Sequence, residues 1–124
     1  IHFGRSIFRM NKAKGERPRR FQIRRRGELS YEDHRFICLI HDISENGIFI
    51  ICNYYLEIGQ ELAVRFELGP GLHFEAKIKV RHFSDGCCGA QIIEVDPRSD
   101  SNWKQFLSDN YADQSRLSER RARL

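Results

Sequence analysis

The sequence predicts a mainly β domain: a six-stranded antiparallel β-barrel followed by a C-terminal α-helix and preceded by a flexible basic arm. Three observations predict it. Apolar residues alternate with charged ones over short runs that recur about every ten residues. Turn-forming residues separate those runs: Glu32-Asp33, Glu57-Ile-Gly59, Gly69-Pro-Gly71 and Ser84-Asp-Gly86. After Val95 the period changes from two to that of a helix.

The elements follow in order. Gln22 to Tyr31 is polar and reads as an edge or surface-facing strand. Arg35 to Ile43 is apolar on both faces, as a curved strand in a closed barrel would be. Gly47 to Cys52 is a short buried run. Glu61 to Leu68 sets Leu62, Val64, Phe66 and Leu68 against Glu61, Arg65 and Glu67. Phe74 to Phe83 repeats the device, with Phe74, Ala76, Ile78 and Val80 inward and Glu75, Lys77, Lys79 and Arg81 outward. Cys88 to Val95 is the sixth strand. Asp96 can cap a helix whose first position is Pro97, and Trp103, Phe106, Leu107 and Tyr111 then share one face. Closure of such strands into a barrel removes exposed edges.

At 124 residues the chain is one domain long. Residues 1–16 form a lead-in, 17–112 the barrel and helix, and 113–124 a charged tail poor in apolar residues. No apolar run approaches the roughly 20 residues of a membrane-spanning helix. Cys38, Cys52, Cys87 and Cys88 lack metal-ligand spacing, and His2, His34, His41, His73 and His82 form no HxH or HExxH pattern. Reduced thiols, no metal and a cytoplasmic location are the expectation.

Charge is unevenly spread. Of the net +4, residues 1–30 contribute +8 and the remainder −4. A basic arm on a mildly acidic body suits an anionic partner.

Two motifs sharpen that reading. Arg20 and Arg24 stand four apart inside the basic run Arg17-Pro-Arg-Arg-Phe-Gln-Ile-Arg-Arg-Arg26, and Asp42-Ile-Ser44-Glu-Asn-Gly47 separates two strands. A guanidinium fork can donate to the paired acceptors of a guanine edge, stack on a purine and neutralise phosphate, which lysine cannot combine. A carboxylate and a hydroxyl two residues apart on a strand project from one side. Asn46-Gly47 favours a tight turn, with Gly47 allowing positive φ or close ligand approach.

In this order and separation the motifs resemble the RxxxR and (D/N)xSxxG signature of PilZ domains, bacterial receptors for cyclic di-GMP. The resemblance runs from about Arg17 to Tyr111 and includes Gly86-Cys-Cys-Gly-Ala-Gln91 and Arg81. It implies a six-stranded barrel with a terminal helix, and cyclic di-GMP as ligand with no cofactor. Arg20 and Arg24 would be the arm's contacts, Asp42, Ser44 and Asn46 the barrel side, and Gly47 the turn. Arg19 is the position linked to one ligand or a stacked pair. The family's aromatic commonly lies two residues after the first arginine, whereas Phe21 follows Arg20 directly. Arg19, Arg25 and Arg26 are surplus to the motif.

A sensor acting on a downstream protein or fused domain is the expectation, with the arm closing over the ligand. Two alternatives stand beside it: a nucleic-acid-binding barrel, and a PilZ-like interaction domain without ligand. The nucleic-acid reading lacks outward stacking aromatics, so no nucleic-acid partner is expected. An enzyme is not expected. His41, Asp42 and Ser44 are the residue types of a hydrolase triad, but adjacent strand residues alternate, so His41 should face away from the other two.

Overall fold

A computed structural model describes the backbone of residues 19–122 and the side chains from 19 to 110. The expected lead-in of residues 1–16, with Arg17 and Pro18, lies outside the described residues, as does the side chain of Tyr111. Six strands are present: β1 (Phe21–Tyr31), β2 (His34–Ile43), β3 (Gly47–Ile51), β4 (Glu61–Glu67), β5 (His73–Ser84) and β6 (Cys87–Val95). The helix α1 (Pro97–Ala122) follows and takes in most of the charged C-terminal segment. The strands close into a barrel in the order β1-β2-β3-β6-β5-β4, every pairing antiparallel.

Alternation decides the core. Leu62, Val64, Phe66 and Leu68, and Phe74, Ala76, Ile78 and Val80, are all buried, as their period of two requires. Ile40, Ile43, Ile48, Ile50 and Val95 complete the interior. The turns use their expected residues. Asp85 and Gly86 carry φ of 49° and 80°, the two positive values of a two-residue hairpin turn. Asp96 caps α1, its Oδ1 accepting from the Arg98 amide at 2.9 Å.

The helix closes one end through aromatic contacts. The Phe21 ring meets Trp103 at 6.2 Å, edge to face, and Phe106 at 5.3 Å. Trp103 in turn packs on Phe74 at 6.1 Å. Three thiols, Cys38, Cys52 and Cys88, face the interior. Burial, with neighbouring thiols adding, pushes the Cys38 thiol up to about 12. The same causes push Cys88 up to about 11.

Three expectations need correction or refinement. β1 is not an edge: β2 pairs along its length, β4 pairs at Glu28 to Ser30, and Phe21, Gly27 and Leu29 are buried. Its polar residues mark only the outward face. β2 is apolar on both faces as expected, but it buries only one of them, since Ile37 is 56% exposed and Leu39 is also outside.

The third concerns His41, which turns Nδ1 onto Asp42 Oδ2 at 2.8 Å instead of facing away. The ladder to β3 slips here, Ile40 opposing Ile50 and Asp42 opposing Phe49, so His41 is an extra residue. A bulge breaks the alternation and lets neighbours share a side.

Candidate functional site

The site lies where β1 begins and β2 turns into β3. Gln22 opposes Asp42 in the β1–β2 ladder, bringing the start of β1 alongside the acidic motif. The exposed Arg20 guanidinium pairs with Asp42 Oδ1, while the other carboxylate oxygen takes the His41 contact. Phe49 supports the imidazole edge-on at 5.4 Å. Asp42 is thus held from two sides.

Ser44 and Gly47 close the β2–β3 turn. The Ser44 amide donates to the Gly47 carbonyl at 2.8 Å, and Ser44 Oγ accepts from the Gly47 amide at 3.1 Å. Of the two roles expected for Gly47, positive φ is absent, and the close approach seen in the structure is that of the protein's own β6 backbone. A Cβ there would lie 3.1 Å from the Ala90 carbonyl oxygen, with no left-handed φ. Glycine lets β3 lie tightly against β6 at the floor of the site. The Asn46 carbonyl accepts from the Ile92 amide at 3.0 Å and ties the same turn to β6.

Arg20 and the turn residues open onto one cleft of about 490 Å³, lined by Arg20, Ser44, Asn46, Gly47, Arg81 and Gln91 among others; Asp42 is held against Arg20 and does not line it. That volume falls within the range of small-molecule sites. On the far wall Arg81 donates Nε to Gln91 Oε1 at 3.0 Å, fixing a second guanidinium across from Arg20. His82 and Gly89 complete that wall. Arg81 is set by another ladder slip, with Val80 opposing Ala90 and His82 opposing Gly89. Gln91, His82 and Gly89 were missing from the site expected from sequence, and Arg81 was noted there without a role. The Gly86 to Gln91 run was the available signal, but it did not show which residues face Arg20.

The other arginines lie apart. Arg19 sets its guanidinium 5.5 Å from the centre of the Phe21 ring. Arg24 is exposed and occupies a bulge between Gln22 and Arg25, at a left-handed φ of 51°. It does not line the cleft. A larger opening of about 780 Å³ at the other end of the barrel is lined by Tyr31, Tyr55, Glu57, Ile58, Gly59, Gln60 and Glu61. Two carboxylates and no cation make it unsuited to an anion, whereas the Arg20 cleft offers two guanidinium groups.

Among the described residues, Ser44 Oγ bonds only to Gly47 and makes no bond to His41, so the hydroxyl has no partner base. The two guanidinium groups lining the cleft suit an anionic ligand.

The PilZ domain family model matches residues 11–109, and the chain belongs to that family. Among solved structures, it is similar to the Bacillus subtilis inhibitor of motility MotI/DgrA, at 13% identity with a TM-score of 0.62. The match covers 81% of this chain and 53% of that one, so the chain spans about half of that structure. It also matches an uncharacterized Legionella protein at 16% identity and a TM-score of 0.46, over 79% and 97% of the two chains. No functionally curated protein matches the sequence.

Proposed function

We propose that this chain is a cyclic di-GMP receptor that responds to the ligand by rearranging the segment carrying Arg20 and Arg24. The observation that carries this reading is the meeting of Arg20, Ser44 and Gly47 at one cleft in a PilZ domain, with Asp42 paired to Arg20 beside it. Arg20 supplies a fork for a guanine edge or a phosphate, and Asp42 accepts from guanine N1 and N2 donors. Because Asp42 is already paired with Arg20, ligand must enter between them or exchange one partner. Arg24 joins when the bulge that holds it reorganises, and Arg19 is the position that bears on whether one ligand or a stacked pair binds.

The reading is one of binding without catalysis and without a cofactor. The downstream element is a partner protein or a fused domain that senses the changed surface, through a shift between existing states. A cytoplasmic location follows from the ligand; no described helix is long and apolar enough to cross a membrane. Calorimetric titration of cyclic di-GMP into wild type and Arg20→Ala, with GTP and a short oligonucleotide as controls, tests it. Saturable binding by wild type alone, to cyclic di-GMP alone, is the expected result. Salt-sensitive oligonucleotide binding without cyclic di-GMP binding would replace it with the nucleic-acid reading.

A further inference from the structure

The barrel is closed unevenly between β1 and β4. The two strands pair at only three positions, Glu28 with Arg65, Leu29 with Val64 and Ser30 with Ala63. Yet β1 reaches back to Phe21 and β4 runs on to Glu67. Gly27 marks the point of divergence. A Cβ there would lie 2.8 Å from the Ile40 side chain and 3.2 Å from the Arg65 carbonyl, so only glycine lets Ile40 fill the space beside the seam. Beyond it, the β4 backbone has no ladder partner on the β1 side among the described residues.

The resulting opening of about 370 Å³ is lined by Arg25, Arg26, Arg65, Phe66, Glu67 and His73. Three guanidinium groups and an imidazole face one carboxylate. Glu67 lies 3.9 Å from Arg25 and 3.8 Å from His73, beyond hydrogen-bonding distance in both cases. Arg65 has Glu28 and Glu75 beside it in the ladders, but neither closes on it to form an ion pair. Among the described residues Arg26 and Arg65 have no ion-pair partner. None of the six residues lines the Arg20 cleft. Two of the surplus arginines of the basic run, Arg25 and Arg26, therefore line a different wall of the barrel.

We propose that this seam is a second anion site, taking a ligand with two or more phosphate charges. Guanidinium forks match phosphate oxygens bidentately, and cations converging from two strands favour a multiply charged group over a single carboxylate. A soluble diphosphate and the headgroups of an anionic membrane share that chemistry.

The test is calorimetric titration of sodium pyrophosphate into the full chain at low salt, run on wild type, Arg20→Ala, Arg26→Ala/Arg65→Ala and Arg26→Lys/Arg65→Lys. Wild type and Arg20→Ala should bind saturably, and the double alanine variant should bind at least about tenfold more weakly. The lysine pair, which keeps the charge but not the fork, should fall between them and controls for folding. No saturation by wild type overturns the proposal, as does equal loss in Arg20→Ala or undiminished binding by the double alanine variant. Binding to a mixed-sequence oligonucleotide but not to pyrophosphate also overturns it. Sedimentation with phosphatidylcholine vesicles, with and without phosphatidylglycerol, separates the two sources. Capture by anionic vesicles that needs Arg26 and Arg65 assigns the headgroup; pyrophosphate binding without capture assigns the soluble ligand.

Discussion

Arg20 and Asp42, twenty-two positions apart, form an ion pair at the mouth of the cleft, and the exposed arginine rests on a largely covered carboxylate. In the proposed receptor this pair both pre-positions the fork and competes with ligand. Arg20→Ala should weaken cyclic di-GMP binding by about 2 kcal/mol, since a charge-assisted contact is lost. Calorimetry reads this directly, and unchanged affinity would remove Arg20 from the site.

Arg24 stores backbone strain. Its left-handed φ of 51° costs a non-glycine residue about 1 kcal/mol or more. Arg24→Gly should therefore raise the urea midpoint while weakening the ligand, and Arg24→Ala should weaken the ligand without the gain. A glycine variant that is no more stable would show that the bulge is not strained.

Gly86 and Gly59 offer an internal comparison. Both have positive φ, 80° and 92°, but a Cβ at Gly86 would lie 2.9 Å from the Cys52 carbonyl, while none lies near Gly59. Gly59→Ala should cost about 1 kcal/mol from conformation alone, and Gly86→Ala distinctly more. Equal losses in thermal unfolding would mean that the loop after β3 gives way.

The buried thiols set an alkaline limit. Cys38 and Cys88 hold their protons to about 12 and 11 in the folded chain, against an ordinary value of 9.0. Between these values the unfolded state loses protons that the folded state keeps. Stability then falls as pH rises above about 9, by up to roughly 1.4 kcal/mol per pH unit for each thiol. Urea midpoints from pH 8 to 11 should decline less steeply in Cys38→Ala/Cys88→Ala than in wild type. Parallel declines would place the alkaline loss elsewhere.

Most of the fold was legible because β4, and β5 as far as Val80, alternate inward and outward residues, and because Asp85-Gly86 and Asp96-Pro97 carry their own turn and cap chemistry. The site was legible only where its residues lie in a contiguous motif. Bulges at Arg24, His41 and Arg81 turn side chains without leaving a compositional mark, since each depends on how two strands slip past one another. That is why His41 was expected on the wrong side and Arg81 had no assigned place. The polar look of β1 misled for a related reason: a strand flanked on both sides can still show solvent one whole face.

Arg20 is bonded in the chain to Phe21, whose ring packs edge-on against the stacked Trp103 and Phe106. Trp103 is the only tryptophan in the sequence and is 2% exposed. Its indole nitrogen has no hydrogen-bond partner among the described residues, so its surroundings are set by ring packing. A ligand that displaces Arg20 should shift Phe21 and change the emission of this single buried fluorophore. The domain thus carries its own optical gauge, and emission from Trp103 can follow events at the cleft in unlabelled protein.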